Sequence, residues 1–287
     1  MRITDRSALD QALRQIQGGQ ERLQRSLSKA ASGIQVQRPS DDPVGFTEIR
    51  VHDEMLTRLA GYNRNIALVR ARLGATESAL QSMLGLLSRM RELIMMDLNV
   101  AISGPEVPLE AQQVYEQLLQ VVNQSYNGEP LFSGYRSGPP FVGPRFVGDN
   151  EKRAVEISPL GATIFGVSAQ EAFGVVPGGD IFRELAEAVA GMRTGNRAAV
   201  RAGLGAVDHY LGLITQAMAS LGAQQNTLSL AERANEAYAL QLRSAMARRR
   251  DIDPAASYSQ LAADRYAMEA TFAVIANSGR LSLIKYL

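Results

Sequence analysis

From Leu59 onward, large apolar residues fall every seven positions, at Leu59, Ile66, Leu73, Leu80, Leu87 and Ile94, with Tyr62, Val69, Thr76, Met83 and Met90 three residues after each of the first five. Spacings that alternate between three and four put one stripe on a helix and predict a coiled-coil seam. A helix from Val44 to Val100 would be about 85 Å long at ~1.5 Å per residue, whereas a compact globule of this length has a radius of gyration of only about 19 Å. The pattern predicts an extended helical chain, not a ball.

The same spacing recurs elsewhere. Leu9, Leu13, Ile16, Leu23, Leu27, Ala30 and Ile34 keep it near the start, with Gln20 the one polar intruder. Val200, Leu204, Val207, Leu211, Ile214, Met218 and Leu221 hold it without a break, and it continues less regularly through Leu228, Ala231, Tyr238 and Leu242. A last helix carries Tyr258, Leu261, Met268, Phe272 and Ile275 and runs towards Leu283, Tyr286 and Leu287. Two Asp-Pro pairs punctuate the pattern. Asp42 before Pro43 and Asp253 before Pro254 each fit an N-cap followed by the first helical position, where proline's missing N–H costs nothing.

Between Gly128 and Gly179 the helical pattern gives way to 16 glycines and prolines in 52 residues, with short β-prone runs at Arg145 to Val147, Ala154 to Ile157 and Thr163 to Val167. This predicts a small β-rich module, marginal in size for independent stability and leaning on the helices that carry it. The expected fold is mainly α: a long antiparallel coiled-coil rod formed by the N- and C-terminal parts, with a small inserted β-rich domain. Its expected divisions are an N-terminal assembly helix over 1–43, rod over 44–127, β-rich insertion over 128–179, rod over 180–250 and a C-terminal assembly helix over 251–287. The first rod helix leads out and the second returns, which places both termini at one end.

Composition narrows the function classes. With 30 basic and 29 acidic residues the formal charge is +1, too small a field to gather nucleic acid or an anionic membrane. Cysteine is absent, which removes disulfides, thiol nucleophiles and thiolate metal sites together. No stretch approaches the roughly 20 apolar residues of a membrane span, and the first ten residues carry no continuous apolar block of a cleaved secretory signal. His52 and His209, the only histidines, sit in separate helical stretches, and no metal, phosphate-loop or nucleophile-elbow motif is present. Gly203-Leu204-Gly205 lacks the third glycine of a dinucleotide loop and reads as helix. The pair Asp41 and Asp42 reads as capping, and Arg248-Arg249-Arg250 as cations closing a helix C-terminus. No catalytic, cofactor or metal site is expected.

The terminal helices admit two readings: they pack on the rod as one bundle, or they await neighbours. Burial of Leu9, Leu13, Ile16, Leu23, Leu27 and Ile34 falls short of the entropy of ordering some 30 residues, so a lone tail is expected to be loose until neighbours enclose it.

Residues Leu27 to Ile34, with Arg38-Pro39-Ser40-Asp41-Asp42-Pro43, resemble the flagellin superfamily's Leu-Ser-x-Gly motif followed by Pro-Ser-Asp-Asp-Pro. Tyr62-Asn63-Arg64-Asn65-Ile66 and Arg89-Met90-Arg91-Glu92-Leu93 are similar to its rod signatures. Pro43-Val44-Gly45 stands where filament flagellins usually carry Ala-Ala-Gly. Gly128-Glu129-Pro130-Leu131-Phe132-Ser133-Gly134 and the closing Ser282-Leu283-Ile284-Lys285-Tyr286-Leu287 resemble the hook–filament junction branch of that family. The resemblance implies an extracellular, non-catalytic adaptor between hook-associated protein 1 and flagellin. It also implies self-association in a helical ring, and export through the flagellar type III apparatus with a chaperone and without a cleaved signal. On this reading Leu9, Leu13, Ile16, Leu23, Leu27, Ile34, Tyr258, Leu261, Met268, Phe272, Ile275, Leu283, Tyr286 and Leu287 form the assembly interface. Leu59, Ile66, Leu73, Leu80, Leu87, Ile94, Leu204, Leu211 and Met218 form the rod seam. A filament flagellin and a self-contained secreted helical bundle stand as rival readings.

Overall fold

The computed structural model describes residues 2–99, 104–175 and 180–284, with side chains described for 10–276 of these. The described residues form seven helices and six short strands: α1 Arg2–Ser32, α2 Pro43–Leu98, α3 Glu106–Val122, β1 Ser125–Tyr126, β2 Glu129–Pro130, β3 Phe141–Val142, β4 Arg145–Phe146, β5 Arg153–Ser158, β6 Gly161–Phe165, α4 Ala169–Phe173, α5 Ile181–Thr194, α6 Arg197–Arg250 and α7 Pro254–Ile284. The fold is mainly α with a small β region. Two compact units emerge, one from residues 1–57 and 238–287, the other from Arg58–Ala237. The divisions fall inside α2 and α6, and the β-rich segment belongs to the second unit.

In the second unit α2 and α6 lie side by side and antiparallel. Arg70 pairs with Glu232 at 2.6 Å, Glu77 accepts from Gln225 at 2.9 Å and Arg91 pairs with Asp208 at 2.6 Å, so position rises on one helix as it falls on the other. These exposed pairs contribute at most about 1 kcal/mol each; the apolar seam between them carries the association. On α2, Leu59, Ile66, Leu73, Leu80, Leu87 and Ile94 are all buried, as are Val69, Thr76, Met83 and Met90. On α6 the fully buried row is Val200, Val207, Ile214, Leu221 and Leu228. Leu204, Leu211 and Met218 pack beside it, half-buried. A strand of spacing three and four always contains two rows, and the neighbours decide which is innermost.

The segment from 180 to 250 is two helices, α5 and α6. Asp180 caps α5 by accepting from the backbone N–H groups of Phe182 and Arg183, and Gly195 ends it in the left-handed conformation at φ 73°. This lets α5 fold back along α6. Gly203 receives it: an added Cβ there would lie 2.3 Å from the Ala188 methyl.

The β region consists of three two-stranded antiparallel hairpins, β1–β2, β3–β4 and β5–β6. Asn127 and Gly128 join the first pair with φ of 52° and 80°, the positive values that a two-residue type I′ turn demands. Two strands cannot enclose a core. Phe132 and Phe141 from this region instead meet Phe173 of α4 and Phe182 of α5, with centroids 4.9 Å apart for Phe132–Phe173 and 4.4 Å for Phe141–Phe182. All four rings are fully buried, so hairpins and helices share one core.

The two glycines of Gly203-Leu204-Gly205 separate space from propensity. Gly203→Ala is expected to destabilise by about 1–3 kcal/mol through overpacking against Ala188. Gly205→Ala, which meets nothing within 4 Å, is expected to stabilise by up to about 1 kcal/mol through helix propensity. Urea unfolding of the two variants measures both; equal effects would contradict the close approach of α5 and α6.

Candidate assembly surface

The first unit is built from α1 and α7 together with the adjoining ends of α2 and α6. Helices α1 and α7 are antiparallel partners. The Ser26 hydroxyl donates to the Asp264 carboxylate, and Met268, buried, lies over Gly19 so closely that an added Cβ would come within 2.9 Å of its sulfur. The chain between α1 and α2 also pairs with the chain between α6 and α7. Ile34 and Asp251 form an antiparallel bridge, the Gln35 N–H donates to the Arg250 carbonyl at 2.6 Å, and the Ile252 N–H donates to the Gly33 carbonyl at 3.0 Å.

Short polar side chains hold these linkers. The Gln37 carboxamide donates to Ser32 Oγ at 2.6 Å and accepts from Ser28 Oγ at 3.1 Å, folding the linker back on the end of α1. Asp41 Oδ2 accepts from the backbone N–H groups of Gln37 and Arg38, each at 3.1 Å. Partial burial raises the Asp41 pKa, but those two N–H groups and the charges of Lys29 and Arg38 outweigh it and hold the carboxyl below its ordinary range. Both Asp-Pro helix starts are capped: Asp42 Oδ1 accepts from Gly45 N at 3.0 Å and Asp253 Oδ1 from Ala255 N at 2.9 Å. Pro43 and Pro254 are the first residues of α2 and α7. The arginine run that ends α6 is engaged locally, Arg249 with Glu48 at 3.2 Å, Arg250 with Asp251 at 3.2 Å and Arg248 with Ser244 at 3.1 Å.

The predicted interface residues divide by face. Met268 is buried against α1, and Ile16, Leu23, Ile34, Leu261 and Ile275 are half-buried. Leu13, Leu27, Tyr258 and Phe272 are exposed, Tyr258 by 64%. The side chains of Leu9 and Leu283, and all of Tyr286 and Leu287, lie outside the described residues. Tyr266 and Val274 were not predicted, yet they are 72% and 64% exposed. They fall outside the spacing of three and four used to find the stripe; the signal that would have found them is that α7 carries apolar residues all round its circumference. One helix partner can cover only one side.

A groove beside this surface, about 560 Å³, mixes Arg22, Arg25 and Lys29 with Asp41, Asp253 and Asp264, so it selects no single charge. Among the described residues no group of His, Asp or Glu is placed to hold a metal ion, and no helix is long and apolar enough to cross a membrane.

Comparison with known proteins accounts for this architecture. Residues 3–137 match the bacterial flagellin N-terminal helical region. Among solved structures, a putative flagellar hook-associated protein from Vibrio parahaemolyticus is similar with a TM-score of 0.67 at 21% identity, over 73% of this chain and 99% of that one. Flagellar hook-associated protein 3 from Legionella pneumophila is similar with a TM-score of 0.62 at 15% identity, over 70% and 98%. A curated relative, the flagellar filament 33 kDa core protein of Treponema phagedenis, is 26% identical over 249 residues, 81% of this chain and 80% of its own length. The matched family region and the curated relative are those of flagellar proteins. Residues 3–137 thus carry the flagellin N-terminal helical region, and the fold of the chain is similar to that of hook-associated protein 3.

The Asp41 contacts make the linker acid-sensitive. Because the folded pKa is lowered, the stabilisation is complete above the unfolded value near 3.8 and is lost as pH falls through the folded value. The amide shifts of Gln37 and Arg38, followed by NMR, are expected to move together with a midpoint below pH 3.8. In Asp41→Asn that transition is expected to vanish.

Proposed function

We propose that this chain is the adaptor of the hook–filament junction of a bacterial flagellum, standing outside the cell between hook-associated protein 1 and flagellin. Its α1–α7 pair packs with the same pair of neighbouring copies in a helical array, the arrangement a heterologous contact without closure generates. The observation that carries this reading is the exposed apolar surface of α7 at Tyr258, Tyr266 and Phe272. Apolar exposure of that extent in a soluble subunit marks an interaction surface. The assembly residues of α1 act with it, and the Asp42-Pro43 and Asp253-Pro254 starts cap the helices that flank the linkers. Export proceeds through the flagellar type III apparatus, with a chaperone covering the C-terminal segment.

The 26% identity to a filament core protein favours a second reading, a filament subunit. Self-assembly separates the two: purified junction protein stays short, whereas a filament subunit extends into long polymers.

Deletion of Ala255 to Leu287 is expected to abolish filament attachment in cells while circular dichroism retains the cooperative melting of the second unit. Normal attachment after that deletion would refute the reading. In dilute monomer both tails are expected to fall to limited proteolysis at least tenfold faster than the segment 58–98; tails as resistant as that segment would favour the self-contained bundle.

A further inference from the structure

The heptad seam of the second unit has a built-in ambiguity. Leu59, Ile66, Leu73, Leu80, Leu87 and Ile94 on α2 repeat every seven residues, and so do Val200, Val207, Ile214, Leu221 and Leu228 on α6. Two such rows fit almost as well after sliding by one heptad, about 10 Å at ~1.5 Å per residue. Apolar contact alone does not choose between registers.

The next seam position on α6 after Leu228 is Asn235, 3% exposed. Its Nδ2 donates to Asn63 Oδ1 of α2 at 3.0 Å and to the Ile157 carbonyl of β5 at 2.9 Å. Two further carboxamides grip the same hairpin from outside the seam. Asn65 of α2 donates to the Glu156 carbonyl at 2.8 Å, and Gln224 of α6 both accepts from Gly166 N at 2.8 Å and donates to Gly166 O at 3.1 Å. The β5–β6 hairpin thus touches both helices through backbone groups, which tolerate no displacement along the axis without losing partners.

We propose that the β5–β6 hairpin is a strap that locks the axial register of the α2–α6 pair, with Asn235 as the link between strap and seam. Sliding by seven residues in one direction brings Asn235 against Arg70 instead of Asn63, and either direction strips its amide of both acceptors. A buried donor without a partner is far costlier than an apolar residue in the same place, so only one register keeps seam and strap satisfied together. This assigns the small β region an internal mechanical task and does not depend on which flagellar position the subunit occupies.

The chain has no cysteine, so introduced pairs report register directly. Arg70→Cys with Glu232→Cys reads the native register; Glu77→Cys with Glu232→Cys and Arg70→Cys with Gln225→Cys read slips of one heptad in either direction. With Asn235 present, only the native pair is expected to cross-link under mild oxidation. In Asn235→Leu a slipped pair is expected to cross-link as well, and hydrogen exchange of the β5 and β6 amides is expected to accelerate at least tenfold. The double variant Asn65→Ala, Gln224→Ala leaves the seam untouched and is expected to give the slipped cross-link at lower yield. Absence of slipped cross-links in both backgrounds, or unchanged hairpin protection in Asn235→Leu, overturns the proposal.

Discussion

Antiparallel packing of two apolar rows, one on α2 and one on α6, is the interaction on which the second unit rests. Every other element there is attached to it. Helix α5 reaches the pair because Gly203 lets Ala188 approach, and the hairpins reach it through carboxamides and through the Phe132, Phe141, Phe173 and Phe182 cluster. The ion pairs that border the seam are too exposed to hold it. Their use is directional, since charges in the wrong pairing oppose a parallel or shifted arrangement.

The first unit obeys a different constraint. There the helices α1 and α7 touch along one side, at Gly19 and Met268 and at Ser26 and Asp264, while aromatic and aliphatic side chains remain exposed on the other. A seam satisfied within one chain makes a stable shaft; a helix apolar on every side needs more neighbours than its own chain supplies. The two units therefore differ in how far one chain satisfies its own apolar surface.

How much of this was legible in the residues follows from what each signal reports. A period of 3.5 survives any context, so the row from Leu59 to Ile94 could be read directly, and Asp-Pro at a helix start is nearly as local, so Asp42 and Asp253 could be read as caps. The choice between the row of Val200 and the row of Leu204 could not, because it depends on where the partner helix lies. The break at Gly195 was hidden by apolar periodicity on both sides of it, and α4 is only five residues long, below any periodic signal. In α7 the spacing of three and four takes in Met268 and Phe272 but not Tyr266 and Val274, because the helix carries apolar residues beyond any single stripe.

Asn235 shows why a departure from pattern carries more information than the pattern. Read as periodicity, it is the place where the α6 row becomes irregular. Read as chemistry, it is a buried amide with two acceptors on two different elements, and its cost to the seam is offset only when both are in place. A uniformly aliphatic row would bind as tightly and specify less. The polar residue converts a continuum of sliding registers into one, and it does so through the backbone of a hairpin, whose carbonyls no substitution removes. A long antiparallel helix pair that must transmit force or present a fixed surface at its ends requires that kind of constraint, because an error of one heptad in the middle becomes a displacement of about 10 Å at the end.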